Sequence, residues 1–214
     1  MIKLDILSDP ICPWCFIGKA NLDRALEAAG DPPFTVEWHP FQLNPDMPDE
    51  GMGRRAYLEA KFGGKEAAVQ AYLPVVKAAE AAGLKINFEA ITRTPNTLNA
   101  HRLIHWAGLE GRQSAMVAAL FRAYFQDGRD IGDTDVLADI AQETGLERAL
   151  MARLLDSDAD KDDIRARDAH ARARGVSGVP CFIIANQHVL SGAQPPDLWA
   201  RVIADITGQQ KARE

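Results

Sequence analysis

The sequence is poor in cysteine: three in 214 residues, at positions 12, 15 and 181. A number so small and odd excludes the stapled scaffold of a small secreted protein. Clusters of basic residues are also lacking. With 24 basic against 30 acidic side chains the formal charge is −6, so the chain lacks the positive footprint that nucleic acid and anionic membrane surfaces select. No apolar run approaches the roughly 20 residues needed to span a bilayer. The opening "MIKLDILSDP" carries Asp5 and Asp9 and has neither the apolar stretch nor the cleavage site of a signal peptide. Internal repeats, low-complexity tracts and long linkers are missing as well. These absences predict a cytoplasmic protein with no nucleic-acid or membrane partner.

What is present suits a sizeable folded core, since 47% of residues are hydrophobic. "IKLDILS" (2–8) alternates apolar Ile2, Leu4 and Ile6 with other residues, as a strand does. In "CFIGKANLDRALEAAG", Leu22, Ala25 and Leu26 recur at helical spacing and Gly30 is placed to end the helix. "FTVEWHPF" (34–41) reads as a second strand. From about 54 to 174 the pattern is helical almost throughout. Thr94 and Pro95 are expected to open one helix that Gly108 closes. Asp133 or Thr134 caps another that Gly145 ends, and 157–174 forms a polar helix with its acids first and its arginines last. Pro74 reads as a break or a helix start. Strand character returns in "CFIIAN" and "HVLSG", a hairpin, before "PPDLWARVIADITG" closes as a helix. The two ends of the chain therefore make a sheet-and-helix module around a helical block.

The cysteine pair "CPWC" lies at the first strand-to-helix junction. Backbone N–H groups left free at a helix N-terminus, with the helix dipole, stabilise a thiolate there. In such settings thiol pKa values fall to roughly 3.5–7.5. Cys12 is thus the natural nucleophile, and Cys15, one turn on, the resolving thiol that attacks a mixed disulfide at Cys12. Pro13 gives up an N–H that is not needed at the first helical position, and Trp14 tops the pair with a flat apolar surface. A zinc site would need two more ligands. Only Cys181 and five histidines are at hand, with no second Cys-x-x-Cys, so no metal is expected. An inert disulfide fits poorly with a reducing compartment. Downstream, "GVSGVPCF" (175–182) places a Gly-Val-Pro before a buried strand. A cis bond there would offer the backbone of Val179 as a docking edge, whereas a plain strand-opening proline would not; the stretch alone leaves both open.

With "DPICPWCFIGK", "PFQLNPDMPDEG", "YLEAKFG", "NTLNAHRLIHWA", "LFRAYFQDGRDIGD" and "GVSGVPCFIIANQHVLSGAQ" in order from about residue 8 to 194, the chain resembles the thioredoxin-like DsbA family, and within it the FrnE-like branch. The resemblance implies an α/β thioredoxin fold with a large inserted all-helical domain, the thioredoxin-like part being 1–50 and 160–214 and the insertion 51–159. It implies thiol–disulfide oxidoreductase activity on protein or small-molecule disulfides or thiols. Cys12 would attack, Cys15 resolve, and Pro180 face them as the cis-proline, with Pro13, Trp14, Val179 and Pro180 meeting substrate. No bound cofactor is implied beyond the redox-active pair, with glutathione as a candidate co-substrate. Related 2-hydroxychromene-2-carboxylate isomerases and kappa-class glutathione transferases share the scaffold but generally lack the full pair, so two cysteines favour redox chemistry. A glutathione-dependent isomerase or transferase, and a redox-sensing chaperone-like binding module, are the rival readings.

Cys181 departs from the branch, which usually has an aromatic or aliphatic residue after this proline. It reads as a small buried hydrophobe, with a third thiol near Cys12 as the sharper alternative. His101 and His105 share a helix face without the carboxylate of a zinc-peptidase motif; His101 falls within a branch motif, where it could influence the thiolate. His39 and Phe41 read as packing residues, and Phe121, Tyr124 and Phe125 as core.

Overall fold

The computed structural model describes residues 1–30 and 33–211, with side chains through 208. Strand β1 (Ile2–Ser8) leads into helix α1 (Pro13–Ala29), which Gly30 ends at φ +72°, a backbone angle that glycine adopts without strain. Strand β2 (Phe34–Pro40) returns parallel to β1, with Ile6 beside Trp38. Two strands from the far end of the chain finish the sheet. They are β5 (Cys181–Ile184), antiparallel to β1, and β6 (His188–Ser191), antiparallel to β5. The order is β2-β1-β5-β6. Leu4 and Ile6 turn one face of β1 toward the main core, where they join Cys15, Phe16 and Leu22 of α1. The last helix (Pro196–Lys211) packs on the same side through Trp199 and Ile203.

Between β2 and β5 the chain is mainly helical. A two-residue pairing of β3 (Met52–Gly53) with β4 (Arg93–Thr94) brackets α2 (Arg54–Phe62) and α3 (Lys65–Ala81). Then follow α4 (Leu98–Leu109), α5 (Gln113–Phe125), α6 (Thr134–Glu143), α7 (Arg148–Leu155) and α8 (Lys161–Ala173). Phe121, Tyr124 and Phe125 are buried core. Phe16 of α1 stacks on Phe121 and Phe125 at 5.3 and 5.5 Å, joining the cysteine-bearing helix to the block. A buried guanidinium organises the α4–α7–α8 junction. Arg102 donates to the carbonyls of Leu154, Leu155, Ser157 and Ala159 and to Asn99 Oδ1, and stacks over Trp106 at 4.8 Å.

Several boundaries differ from expectation. Helix α4 opens at Leu98, not Pro95, because Thr94 is paired with Met52 and Asn96 Oδ1 accepts the Leu98 N–H at 2.9 Å. Gly108 lies inside that helix rather than past its end. Pro74 neither breaks nor starts α3; it and Gln70, whose carbonyl it deprives of a partner, are exposed, so water can serve that carbonyl. The polar helix starts at Lys161, because the carbonyls of Ser157 and Ala159 turn to Arg102. Asp133 is the cap of α6, accepting from the N–H groups of Asp135 and Val136. Residues 212–214 of the expected second thioredoxin-like segment lie outside the described residues.

Candidate active site

Cys12 occupies the N-cap of α1, its N–H donating to the Asp9 carbonyl at 2.9 Å and its own carbonyl accepting from Cys15 and Phe16. The sulfur therefore sits at the positive end of a 17-residue helix with Pro13 in the first turn. Both cysteines are free thiols and nearly sealed, Cys12 at 3% and Cys15 at 1% exposure. Burial pushes the Cys15 thiol well above its ordinary range, and the adjacent Cys12 sulfur adds to the rise. The Asp9 N–H and the Ser8 hydroxyl oppose that rise. Pro13 and Trp14, both half-buried, flank the pair on its open side.

The loop before β5 faces this helix end. The Val179–Pro180 peptide is cis, and the Cys12 thiol donates to the Val179 carbonyl at 3.6 Å. Close approach of the two elements needs a residue without a side chain at Gly18. A Cβ there would stand 3.1 Å from the Pro180 ring, 3.3 Å from Phe182 and 3.5 Å from Ala193.

Beneath the cysteine turn lies a polar web that sequence reasoning missed. Asp9 is fully buried, with Oδ1 accepting the Ile11 N–H at 3.2 Å and Oδ2 the Leu43 N–H at 2.7 Å. Its neighbour Gln42 donates its N–H to Asp168 Oδ1 at 2.8 Å, and Arg172 ties Asp168 to the Gln42 carbonyl while lying over the Phe41 ring at 4.1 Å. Asn96 donates to the Met47 carbonyl at 2.7 Å and accepts from Gln42. These bonds hold the loop after β2 and the start of α4 against the cysteine turn. Burial lifts the Asp9 carboxyl to about 7, against the pull of the two N–H bonds. It also lowers the His101 imidazole to about 4. His101 Nε2 stands 4.0 Å from Asp9 Oδ1 with no hydrogen-bond partner. Of the two histidines on α4, then, His101 reaches the cysteine turn, while His105 turns to Arg167 of α8. A carboxylate three residues ahead of a helix-capping cysteine was the readable signal for the web.

Cys181 is set apart from the pair. It is the register partner of Leu7, and directly paired residues share a sheet face. Its thiol packs with Leu7, Phe41 and Ala171 on the side away from the core that holds Cys12 and Cys15. A cavity of about 1010 Å³ opens on that face between α8 and the sheet, with Cys181, Val179 and His170 in its wall. At its edge Asp5, Glu37 and His39 have side-chain oxygens and nitrogen within 4.8 Å of one another. The Lys3 ammonium lies 2.8 Å from both carboxylates and already supplies the positive charge a cation would bring. His39 is engaged by Asp5 at 2.5 Å and Phe41 is buried under Arg172.

Three comparisons bear on this geometry. A family model described as a DSBA-like thioredoxin domain matches residues 3–204. The uncharacterized protein YwbO of Bacillus subtilis (strain 168) is 30% identical over 205 residues, covering 95% of this chain and 96% of its own length. Among solved structures, the probable DsbA oxidoreductase SCO1869 from Streptomyces coelicolor is 30% identical with a TM-score of 0.85, over 97% of this chain and 91% of that one. The cytosolic disulfide reductase DsbM from Pseudomonas aeruginosa, solved with GSH, shares the fold at a TM-score of 0.69 and 22% identity, over 98% and 99% of the two chains. Among the described residues, no helix is long and apolar enough to cross a membrane.

Proposed function

The chain belongs to the DSBA-like thioredoxin domain family, and from that premise we propose that it is a thiol–disulfide oxidoreductase in which Cys12 attacks and Cys15 resolves. The observation that carries this reading is the inequality of the two thiols. One sits at a helix N-terminus beside a backbone carbonyl, and the other is sealed one turn inside, its proton held by burial.

As a reductase, the Cys12 thiolate attacks one sulfur of a substrate disulfide. That S–S bond breaks, a Cys12–substrate disulfide forms, and the other substrate sulfur leaves as a thiolate that takes up a proton. Cys15 then gives up its proton and attacks the Cys12 sulfur, releasing the second substrate thiol and leaving a Cys12–Cys15 disulfide. Two electrons have passed to the substrate. A thiol donor returns them, and glutathione, bound in the DsbM structure, is the candidate co-substrate. Run backwards, the same steps oxidise a dithiol. The Cys12 thiol donates to the Val179 carbonyl only while it keeps its proton. Ionisation frees that carbonyl to accept from a substrate backbone N–H, with Pro13, Trp14 and Pro180 forming the surround. The reducing cytoplasm is the place of work this reading expects, as for the cytosolic disulfide reductase DsbM.

Single-cysteine variants test the assignment. Cys15→Ser should accumulate a mixed disulfide on Cys12, seen by mass spectrometry after thiol quenching. Cys12→Ser should abolish exchange with model disulfides and leave Cys15 slow to alkylate below pH 9. Adducts on Cys181 and none on Cys12 would refute the assignment. Turnover of an aromatic substrate with glutathione that survives loss of Cys15 would establish the isomerase instead, and aggregation suppression indifferent to both cysteines the binding module.

A further inference from the structure

Asp9 and His101 lie under the Cys12 turn, out of contact with water at 0% and 3% exposure. The Phe41 carbonyl favours a proton on the imidazole, and since Nε2 has no partner, the Nδ1–H tautomer is the one that serves it. Nε2 therefore carries a lone pair, and it faces Asp9 Oδ1 at 4.0 Å. With no proton between them, two acceptors confront each other in a dry site, which is costly. With one proton on Oδ1, a shift of about 1 Å closes the gap to a hydrogen bond. The groups around the pair are few. The Asp9 backbone ties the pair to the cysteines, its carbonyl accepting the Cys12 N–H and its N–H reaching the Cys15 thiol, which the Ser8 hydroxyl of β1 also meets. From α4 comes the Thr97 hydroxyl. From α8 comes Asp168, already paired with Arg172 at 2.8 Å, while the loop after β2 offers backbone N–H and carbonyl groups alone.

We propose that Asp9 and His101 hold one proton between them beneath the Cys12 turn, and that its release sets a negative charge there that opposes the thiolate. The two are positioning residues: neither touches substrate, and both act through Cys12. The inference rests on the redox reading of Cys12 and Cys15. While protonated, the pair is neutral and the helix N-terminus acts on the sulfur unopposed. When the proton leaves to solvent, a carboxylate remains at the residue whose carbonyl holds the Cys12 N–H, and like charges within a partly dry site disfavour each other. No electron moves in this step. The same coupling runs the other way: a thiolate at Cys12 must raise the affinity of Asp9 for its proton by the same factor. The carboxyl held up to about 7 and the imidazole held down to about 4, both chiefly by burial, put the proton on Asp9 at neutrality and its release close above.

The test is the rate of Cys12 alkylation by iodoacetamide against pH in the Cys15→Ser protein, with and without Asp9→Asn. The parent profile should show a second step near pH 7, and Asp9→Asn should reduce it to one ionisation, with the rate unchanged well below pH 7 and roughly threefold or more higher on the rising limb above it, where the parent carries the carboxylate. A two-step profile that survives Asp9→Asn, or a rate lowered by one factor at every pH, would overturn the proposal, the latter by revealing a purely structural role. If Asp9→Asn does not fold, His101→Gln keeps the carboxyl. It must then move the second step to lower pH, and an unmoved step is equally fatal. Disulfide exchange by the unsubstituted protein is measured alongside. No exchange, with the two-step profile intact, would refute the redox reading and leave the proton pair standing.

Discussion

Substituting Asp9 by asparagine should change how stability depends on pH in a way that follows from two opposed ionisations. The Asp9 carboxyl is raised from 3.8 to about 7. The native state therefore keeps a proton that the unfolded chain has released, and this contribution, present in acid, is lost as pH climbs from near 4 to near 7. The His101 imidazole is lowered from 6.5 to about 4. Here the native state refuses a proton that the unfolded chain accepts, so stability is full above 6.5 and falls as pH drops toward 4. Between these limits each state of the parent binds one proton across the two groups, and the slopes cancel. Asparagine at position 9 leaves the histidine alone, since its downward shift comes chiefly from burial and not from Asp9. Relative to the parent, the variant should gain on the order of 3 kcal/mol between pH 4 and 6.5, from about 2.5 pH units at 1.36 kcal/mol each. His101→Gln should do the reverse and lose up to about 3 kcal/mol relative to the parent between pH 4 and 6.5, and less as its Asp9 step moves to lower pH. Urea unfolding followed by tryptophan fluorescence at half-unit pH steps measures this, with the parent-minus-variant difference cancelling all other groups. A difference that stays constant across pH would refute the shared-proton argument.

Gly18→Ala would ordinarily stabilise a helix by about 0.5–1 kcal/mol, but the new methyl meets the Pro180 ring at 3.1 Å. The expected outcome is no net gain in melting temperature together with slower disulfide exchange, and a stabilised protein with unchanged exchange would contradict it. Arg102→Met removes the donor that serves four carbonyls, of which that of Leu155 is held in a buried bond while that of Leu154 keeps the Ser157 hydroxyl. We expect a loss of roughly 1–3 kcal/mol in urea unfolding, and no loss would show that water replaces the side chain.

The parts of this molecule that were legible in the sequence are those fixed by neighbours in the chain. Pro13 and Gly30 mark the ends of α1 because helix termini select them directly, and the cysteine spacing places both sulfurs on one turn. What escaped depends on partners far away. The start of α4 moved to Leu98 because Thr94 pairs with Met52, 42 positions earlier. The face taken by Cys181 is dictated by its register with Leu7. Of the polar web only Asp9 had a local mark, its place three residues ahead of the capping cysteine; Gln42, Asn96 and Asp168 join it only through the packing of α4 and α8 on the cysteine turn.

The bond from Cys12 to the Val179 carbonyl joins residues 167 positions apart. A ribosome adding about 5–20 residues per second needs roughly 10–30 s to make the second after the first. Throughout that interval β1 has no β5 beside it, and the helix end bearing Cys12 lacks the loop that covers it. The nascent thiols are then open to any passing oxidant. Yet Cys181 is still unmade, so the only disulfide the growing chain can close within itself is the one between Cys12 and Cys15. Order of synthesis thus protects the pairing before the fold is there to do it.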